Sequence, residues 1–212
     1  MVGRPWLCST DPASRTTPED PVPMTDVLLF HHALGLTDGV RAFADELRRA
    51  GHAVTTPDLF DGMTFDSLDA GVVHAEQIGF EVIADRGAAC ADVLPERLAV
   101  VGFSLGVLPA QKLAQTRNGV VAAVLCHSAI PLSVFGDGWP DGVDLQLHFS
   151  EEDPWAADDL DAAGELVAAS GGELFRYPGS GHLVADPSTG DYEPEAAAQI
   201  LSRTLALLDR VG

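Results

Sequence analysis

Lysine is almost absent from this chain. Of 12 basic residues among 212 only Lys112 is a lysine, and they face 32 aspartates and glutamates. The formal net charge of −20 at pH 7 repels phosphate backbones and anionic lipid surfaces, so neither nucleic acid nor a membrane is expected as a partner. Cysteine is scarce as well. Cys8, Cys90 and Cys126 lie far apart and form no C-x-x-C pair, a spacing that offers neither a disulfide framework nor a zinc site. No apolar run approaches the roughly 18–20 residues of a membrane span. The N-terminus lacks the charged start and apolar core of a signal peptide. A soluble cytoplasmic protein is the expectation. What is present is an ordinary hydrophobic fraction of 46%, enough in a chain of this length for one well-buried core.

Residues 1–24 differ from the rest. Pro5, Pro12, Pro18, Pro21 and Pro23 sit among Ser, Thr and Asp without a helical or strand period, which describes a flexible leader ahead of a single domain over 25–212. Met24, just before the first strand, is a candidate translation start; the intact mass of the native protein tests this. From residue 26 onward strands and helices alternate. Strands are expected at Val27–Phe30, Ala53–Thr56, Leu98–Phe103, Val120–Cys126, Val143–Phe149 and Glu173–Tyr177. Val40, Phe43, Ala44 and Leu47 fall at i, i+3, i+4 and i+7, one apolar helix face, with Thr37 or Asp38 as N-cap. Helical stretches between nearly every strand pair imply an α/β fold, a mostly parallel sheet of about six strands covered on both faces.

Residues 102–106 read Gly-Phe-Ser-Leu-Gly, after the apolar run Leu98–Val101 and before a helix-compatible stretch from Val107 to Gln115. A serine between two glycines at a strand-to-helix turn is a nucleophile elbow, a turn too tight for side chains at Gly102 and Gly106. By composition alone such a pentapeptide arises in roughly one chain of this length in ten or twenty, so its partners decide the matter. In open parallel sheets, sites gather at the carboxyl ends of the strands. Asp153 follows the fifth strand and His182 follows the sixth, in Gly179-Ser180-Gly181-His182. The chain order Ser104, Asp153, His182 is that of an α/β-hydrolase triad. His182 would take the serine proton during attack, and Asp153 would fix the imidazole tautomer. Glu151, Glu152 and Asp158 compete with Asp153; its place directly before Pro154 favours it.

The first strand leads into Phe30-His31-His32-Ala33-Leu34-Gly35-Leu36. A loop here supplies one oxyanion-hole amide and the residue after the nucleophile supplies the other, so the backbone N–H groups of Ala33 and Leu105 are the expected donors. Neighbouring histidines on a strand point to opposite faces, so His31 and His32 do not chelate a metal together. No metal and no cofactor are expected. His127 and His148, on or beside strands, read as hydrogen-bonded structural residues.

These segments together resemble the dienelactone hydrolase family of α/β-hydrolases, over most of residues 26–208. The carriers are His31 to Leu36, Thr56-Pro57-Asp58-Leu59-Phe60, the elbow, Phe149 to Pro154, and Gly181-His182. The resemblance implies Ser104, Asp153 and His182 as triad and Ala33 and Leu105 as oxyanion donors. The family's namesake enzyme is similar but has cysteine at the position of Ser104, glutamate at that of His32, and a carboxylate-binding arginine at that of Asp186. Serine and aspartate at two of these positions imply ordinary ester chemistry rather than an anionic lactone. The strands that usually precede the first oxyanion loop would be missing, since residues 1–24 carry no strand pattern.

The expected function is therefore a serine hydrolase of small, neutral carboxylic esters or lactones acting through an acyl-enzyme. His32, Trp139 and Trp155, with Phe135, are candidate pocket residues. The alternative is a non-catalytic ligand-binding or regulatory protein on a hydrolase fold, against which the complete triad argues. No feature of the sequence specifies an oligomeric state.

Overall fold

A computed structural model describes residues 25–212; the leader and the missing first strands expected over 1–24 lie outside the described residues. Six strands form one parallel sheet: β1 (Asp26–Phe30), β2 (Ala53–Thr55), β3 (Leu98–Phe103), β4 (Val120–Cys126), β5 (Asp144–Ser150) and β6 (Glu173–Tyr177). Their spatial order is β2-β1-β3-β4-β5-β6. The chain runs outward from β1 to one edge, returns to β3 and then proceeds to the other edge. The reversal falls between β1 and β3, and at such a switch point the loops leaving adjacent strands diverge and open a crevice.

Six helices cover the sheet: α1 (Asp38–Arg49), α2 (Leu68–Ile78), α3 (Phe80–Ala89), α4 (Val107–Thr116), α5 (Leu160–Ser170) and α6 (Pro194–Val211). Alternation along the strands builds two cores. Leu28, Val100, Leu125 and Leu147 face Ile83, Leu113 and Leu166 on one side. On the other, Val27, Leu29, Val101 and Val124 face Val40, Phe43, Leu47, Ile200 and Leu207 of α1 and α6. The α1 N-cap is Thr37, whose hydroxyl accepts from Val40 N–H at 3.3 Å; Asp38 stands in the first turn and Arg48 and Arg49 in the last, each suited to the helix dipole. Gly79, with φ +97°, separates α2 from α3.

The Pro57-Asp58-Leu59-Phe60 segment acquires a physical reason. Asp58 accepts from the N–H groups of Phe60 (2.9 Å) and Gly62 (2.6 Å), folding the loop on itself. His31, fully buried at the end of β1, joins that loop to the sheet. Its Nδ1–H donates to the carbonyl of His32 (2.7 Å), and its Nε2 accepts from Leu59 N–H (3.0 Å). The ring is used as one donor and one acceptor, which only the neutral form supplies.

Burial lowers the His31 pKa from 6.5 to about 4. The folded state thus binds the proton less readily than the unfolded chain. This contribution to stability is intact above about pH 6.5, is lost as the pH falls from there towards 4, and has a slope of about 1.4 kcal/mol per pH unit. Urea midpoints measured between pH 7 and 4.5 fall accordingly, and His31→Gln, which keeps an acceptor for Leu59, flattens the slope. A second expectation concerns Gly106. A Cβ there would stand 2.5 Å from the Phe30 carbonyl oxygen, so Gly106→Ala lowers the stability by at least about 1–3 kcal/mol in the same titration.

Candidate active site

The expected elbow forms as a turn between β3 and α4. Ser104 has φ +48°, a left-handed conformation that is strained for a side-chain-bearing residue and directs its hydroxyl away from the sheet. The flanking glycines permit it. A Cβ on Gly102 would lie 2.4 Å from the Gly106 carbonyl oxygen, and one on Gly106 would meet the carbonyls of Phe30 and His31 at 2.5 and 2.8 Å. The elbow therefore rests directly on the end of β1.

His182 and Asp153 meet Ser104 from the far side. The Ser104 hydroxyl donates to His182 Nε2 at 2.7 Å, and His182 Nδ1–H donates to Asp153 Oδ2 at 2.7 Å. Asp153 is buried, and its other oxygen accepts from Trp155 N–H at 2.9 Å. The competing acids Glu151, Glu152 and Asp158 are exposed. The ends of β5 and β6 keep the two loops in register through Glu151 N–H to the Tyr177 carbonyl (2.8 Å) and Glu152 N–H to the Gly179 carbonyl (3.0 Å). Ser150 Oγ donates to the Gly181 carbonyl at 2.6 Å.

Ala33 lies in a turn closed by Gly35 N–H to the His32 carbonyl at 3.0 Å. Gly35 has φ +88°, the conformation a glycine supplies without strain. Leu34 N–H donates to His32 Nδ1 at 3.2 Å, while the intervening N–H of Ala33 has no acceptor among the described residues. Leu105 is the second residue of the short helical turn that opens at Ser104, where N–H groups have no intrahelical partner.

The expected pocket residues divide. Trp155 is 46% exposed with its ring centroid 6.2 Å from that of His182, so it stands at the site. Trp139 is committed elsewhere: its indole N–H donates to the Val143 carbonyl (2.8 Å) and it packs on the core. His32 is buried and turned away, with Nε2–H donating to Asp186 Oδ2 at 2.7 Å. The two departures from the namesake enzyme, 154 residues apart, are thus in contact. Asp186 is not aimed at a ligand.

His148 meets its expectation in part, accepting at Nδ1 from Tyr177 OH at 2.8 Å, with Arg203 Nη1 donating to the same hydroxyl at 2.7 Å. His127 departs from it. Buried at φ +68°, it has no hydrogen-bond partner on either ring nitrogen among the described residues and lies between Phe103 and His182. Burial, with His182, His148 and His32 nearby, pushes its pKa well down, so the ring is neutral. It helps line a small cavity of about 10 Å³ with His32, Asp186 and Phe43.

Two supporting residues carry no local signal in the sequence. Asp191 Oδ2 accepts from the N–H groups of His182 (3.1 Å) and Leu183 (3.3 Å), fastening the loop that carries the histidine. Gln111, fully buried on α4, pairs with both the N–H (2.9 Å) and the carbonyl (2.7 Å) of Ile130 and so holds the loop after β4. Among the described residues no three His, Cys, Asp or Glu side chains gather to hold a metal ion, and no helix is long and apolar enough to cross a membrane.

Solved structures share this architecture. A dienelactone hydrolase-like promiscuous phosphotriesterase from metagenomic libraries matches with a TM-score of 0.74 at 20% identity, over 90% of this chain and 88% of that one. A cold-adapted esterase from an Arctic intertidal metagenomic library matches with a TM-score of 0.63 at 18% identity, covering 92% and 86%. The hyperthermophilic esterase of the archaeon Pyrobaculum calidifontis matches with a TM-score of 0.59 at 16% identity, covering 92% and 80%. No curated protein matches the chain significantly. The model of the dienelactone hydrolase family matches residues 12–212. With that match over nearly its whole length, and with its six-stranded parallel sheet, the chain belongs to the dienelactone hydrolase family and is an α/β-fold hydrolase.

Proposed function

We propose that the protein is a serine hydrolase that cleaves small, uncharged carboxylic esters or lactones through an acyl-enzyme. The observation that carries this reading is the unbroken chain of short hydrogen bonds from Asp153 through His182 to Ser104. With Nδ1–H held by Asp153, His182 keeps its lone pair on Nε2, facing the serine hydroxyl. Ser104 Oγ attacks the carbonyl carbon as its proton passes to Nε2. The carbonyl π electrons move to oxygen, and that oxyanion lies against the N–H groups of Ala33 and Leu105. Collapse of the tetrahedral species breaks the ester C–O bond, and the alkoxide leaves with the proton from His182. Water then repeats the sequence on the acyl-serine, releasing the acid and restoring Ser104.

An uncharged substrate is favoured by three features. The surface is strongly acidic, and the family's carboxylate-binding arginine position holds Asp186, so no cation stands there to take a substrate carboxylate. Trp155 offers an apolar wall beside His182. Scattered cysteines without a pairing pattern fit a reducing cytoplasmic compartment.

A fluorophosphonate probe labels the wild-type protein at Ser104, Ser104→Ala takes no label, and both outcomes are read by mass spectrometry. Folded wild-type protein that neither takes the label nor hydrolyses p-nitrophenyl acetate overturns the proposal. Asp153→Asn leaves the fold intact and lowers kcat by about 10⁴ through the wrong histidine tautomer. Across a panel of esters and lactones, rates fall when a carboxylate is placed on the substrate; highest rates on anionic lactones refute the charge preference.

A further inference from the structure

Asp186 is buried and receives four hydrogen bonds. His32 Nε2–H (2.7 Å) and the Thr37 hydroxyl (2.6 Å) donate to Oδ2, and Ser188 N–H (2.7 Å) and hydroxyl (2.5 Å) donate to Oδ1. Burial raises the pKa of the carboxyl, but the bonds from His32, Ser188 and Thr37 together outweigh it and hold the group at about 2, so it is ionised. Space for it is made at the start of α1. A Cβ on Gly39 would fall 1.6 Å from Oδ1, so the carboxylate stands directly against the first turn of α1.

The groups of this network come from two places that matter to the proposed reaction. His32 and Thr37 belong to the segment joining β1 to α1, which contains Ala33. Asp186 and Ser188 belong to the loop between β6 and α6 that carries His182. His32 passes the connection on, because the nitrogen not used by Asp186 accepts from Leu34 N–H at 3.2 Å. Asp186 also fixes which nitrogen that is. By taking Nε2–H, the carboxylate leaves Nδ1 as a lone pair pointing into the turn. The Ala33 N–H lies between two held points, the His32 carbonyl bonded by Gly35 and the Leu34 amide bonded by Nδ1.

We infer that His32 and Asp186 form a second histidine–carboxylate dyad, positioning residues that aim the Ala33 N–H and tie the oxyanion turn to the loop carrying His182. This rests on the hydrolase reading above for its catalytic consequence, though not for its structural one. The dyad touches no reacting atom. Its work is to keep the donor of the oxyanion hole and the general base in one frame, so that charge developing on the substrate oxygen meets an amide already directed at it. Both halves are buried, so loss of His32 would leave Leu34 N–H without its acceptor and the carboxylate short of one of its four donors, and the turn would reorganise to find others.

Amide exchange followed by NMR and the rate of fluorophosphonate modification together test the inference. In Asp186→Asn, exchange at Leu34 rises and modification of Ser104 slows by roughly tenfold to a hundredfold, while KM for p-nitrophenyl acetate changes by less than about threefold. His32→Asn keeps an acceptor near the Nδ1 position and retains more protection at Leu34 than His32→Gln, which keeps only a donor near Nε2. Ser188→Ala is a milder variant, which removes one bond from the carboxylate and shifts both readouts in the same direction by less. Folded variants with unchanged Leu34 exchange overturn the inference, as does raised exchange with unchanged modification rate. A wild-type protein that takes no label, while Asp186→Asn still frees Leu34, overturns the hydrolase reading and supports the dyad's hold on the turn.

Discussion

The close approach of Gly106 to the carbonyls of Phe30 and His31 is the constraint on which the rest of the site depends. Because no side chain intervenes, the start of α4 lies against the end of β1, and the turn that follows β1 becomes a neighbour of the elbow. The switch in strand order between β1 and β3 opens the crevice at the same place. The place of the serine, of the turn after β1 and of the crevice all follow from one contact between two backbones. The strain at Ser104 is sustained because Gly102 and Gly106 relieve the crowding on either side of it.

Around this contact the loops are tied pairwise rather than individually. The β5 and β6 loops hold each other through Glu151, Glu152 and Ser150, and the histidine loop is fastened again by Asp191. His31 bonds the loop after β2 to the end of β1. Loops of a parallel sheet otherwise leave backbone polar groups without partners, and here side chains from neighbouring loops satisfy many of them. Apart from Asp191, which acts within its own loop, these ties cross between elements distant in the chain and give the carboxyl edge of the sheet an order its irregular backbone would not have alone.

That separation explains what could be read from the residues and what could not. β1, β3 and β4 are near-continuous apolar runs, and Leu98–Phe103, Val120–Cys126 and Glu173–Tyr177 have the boundaries expected from the residues. The face of α1 and the elbow are equally local patterns. Ser104, Asp153 and His182 converge because each follows a strand whose place in the sheet is set by topology. A histidine beside the loop after β1 suggests a pocket residue, yet the partner of His32, Asp186, stands 154 residues away and turns the ring inward. Trp139 likewise spends its indole on Val143. Asp191 and Gln111 act through contacts that no spacing rule encodes. His127 is the converse case, a polar ring in a strand-end position with no hydrogen-bond partner on either nitrogen among the described residues.

Gln111 has a consequence of its own. Its amide accepts from Ile130 N–H and donates to the Ile130 carbonyl, the two bonds that a neighbouring strand would have made had β4 continued. Gln115, one helical turn on, repeats the service for the Leu132 carbonyl at 2.9 Å. A helix thereby acts as the edge of a sheet towards a segment that has left the sheet. The contour of the loop after β4 is inscribed in α4, so divergence among relatives at two glutamine positions can remodel that contour while the serine at the head of the same helix stays where it is.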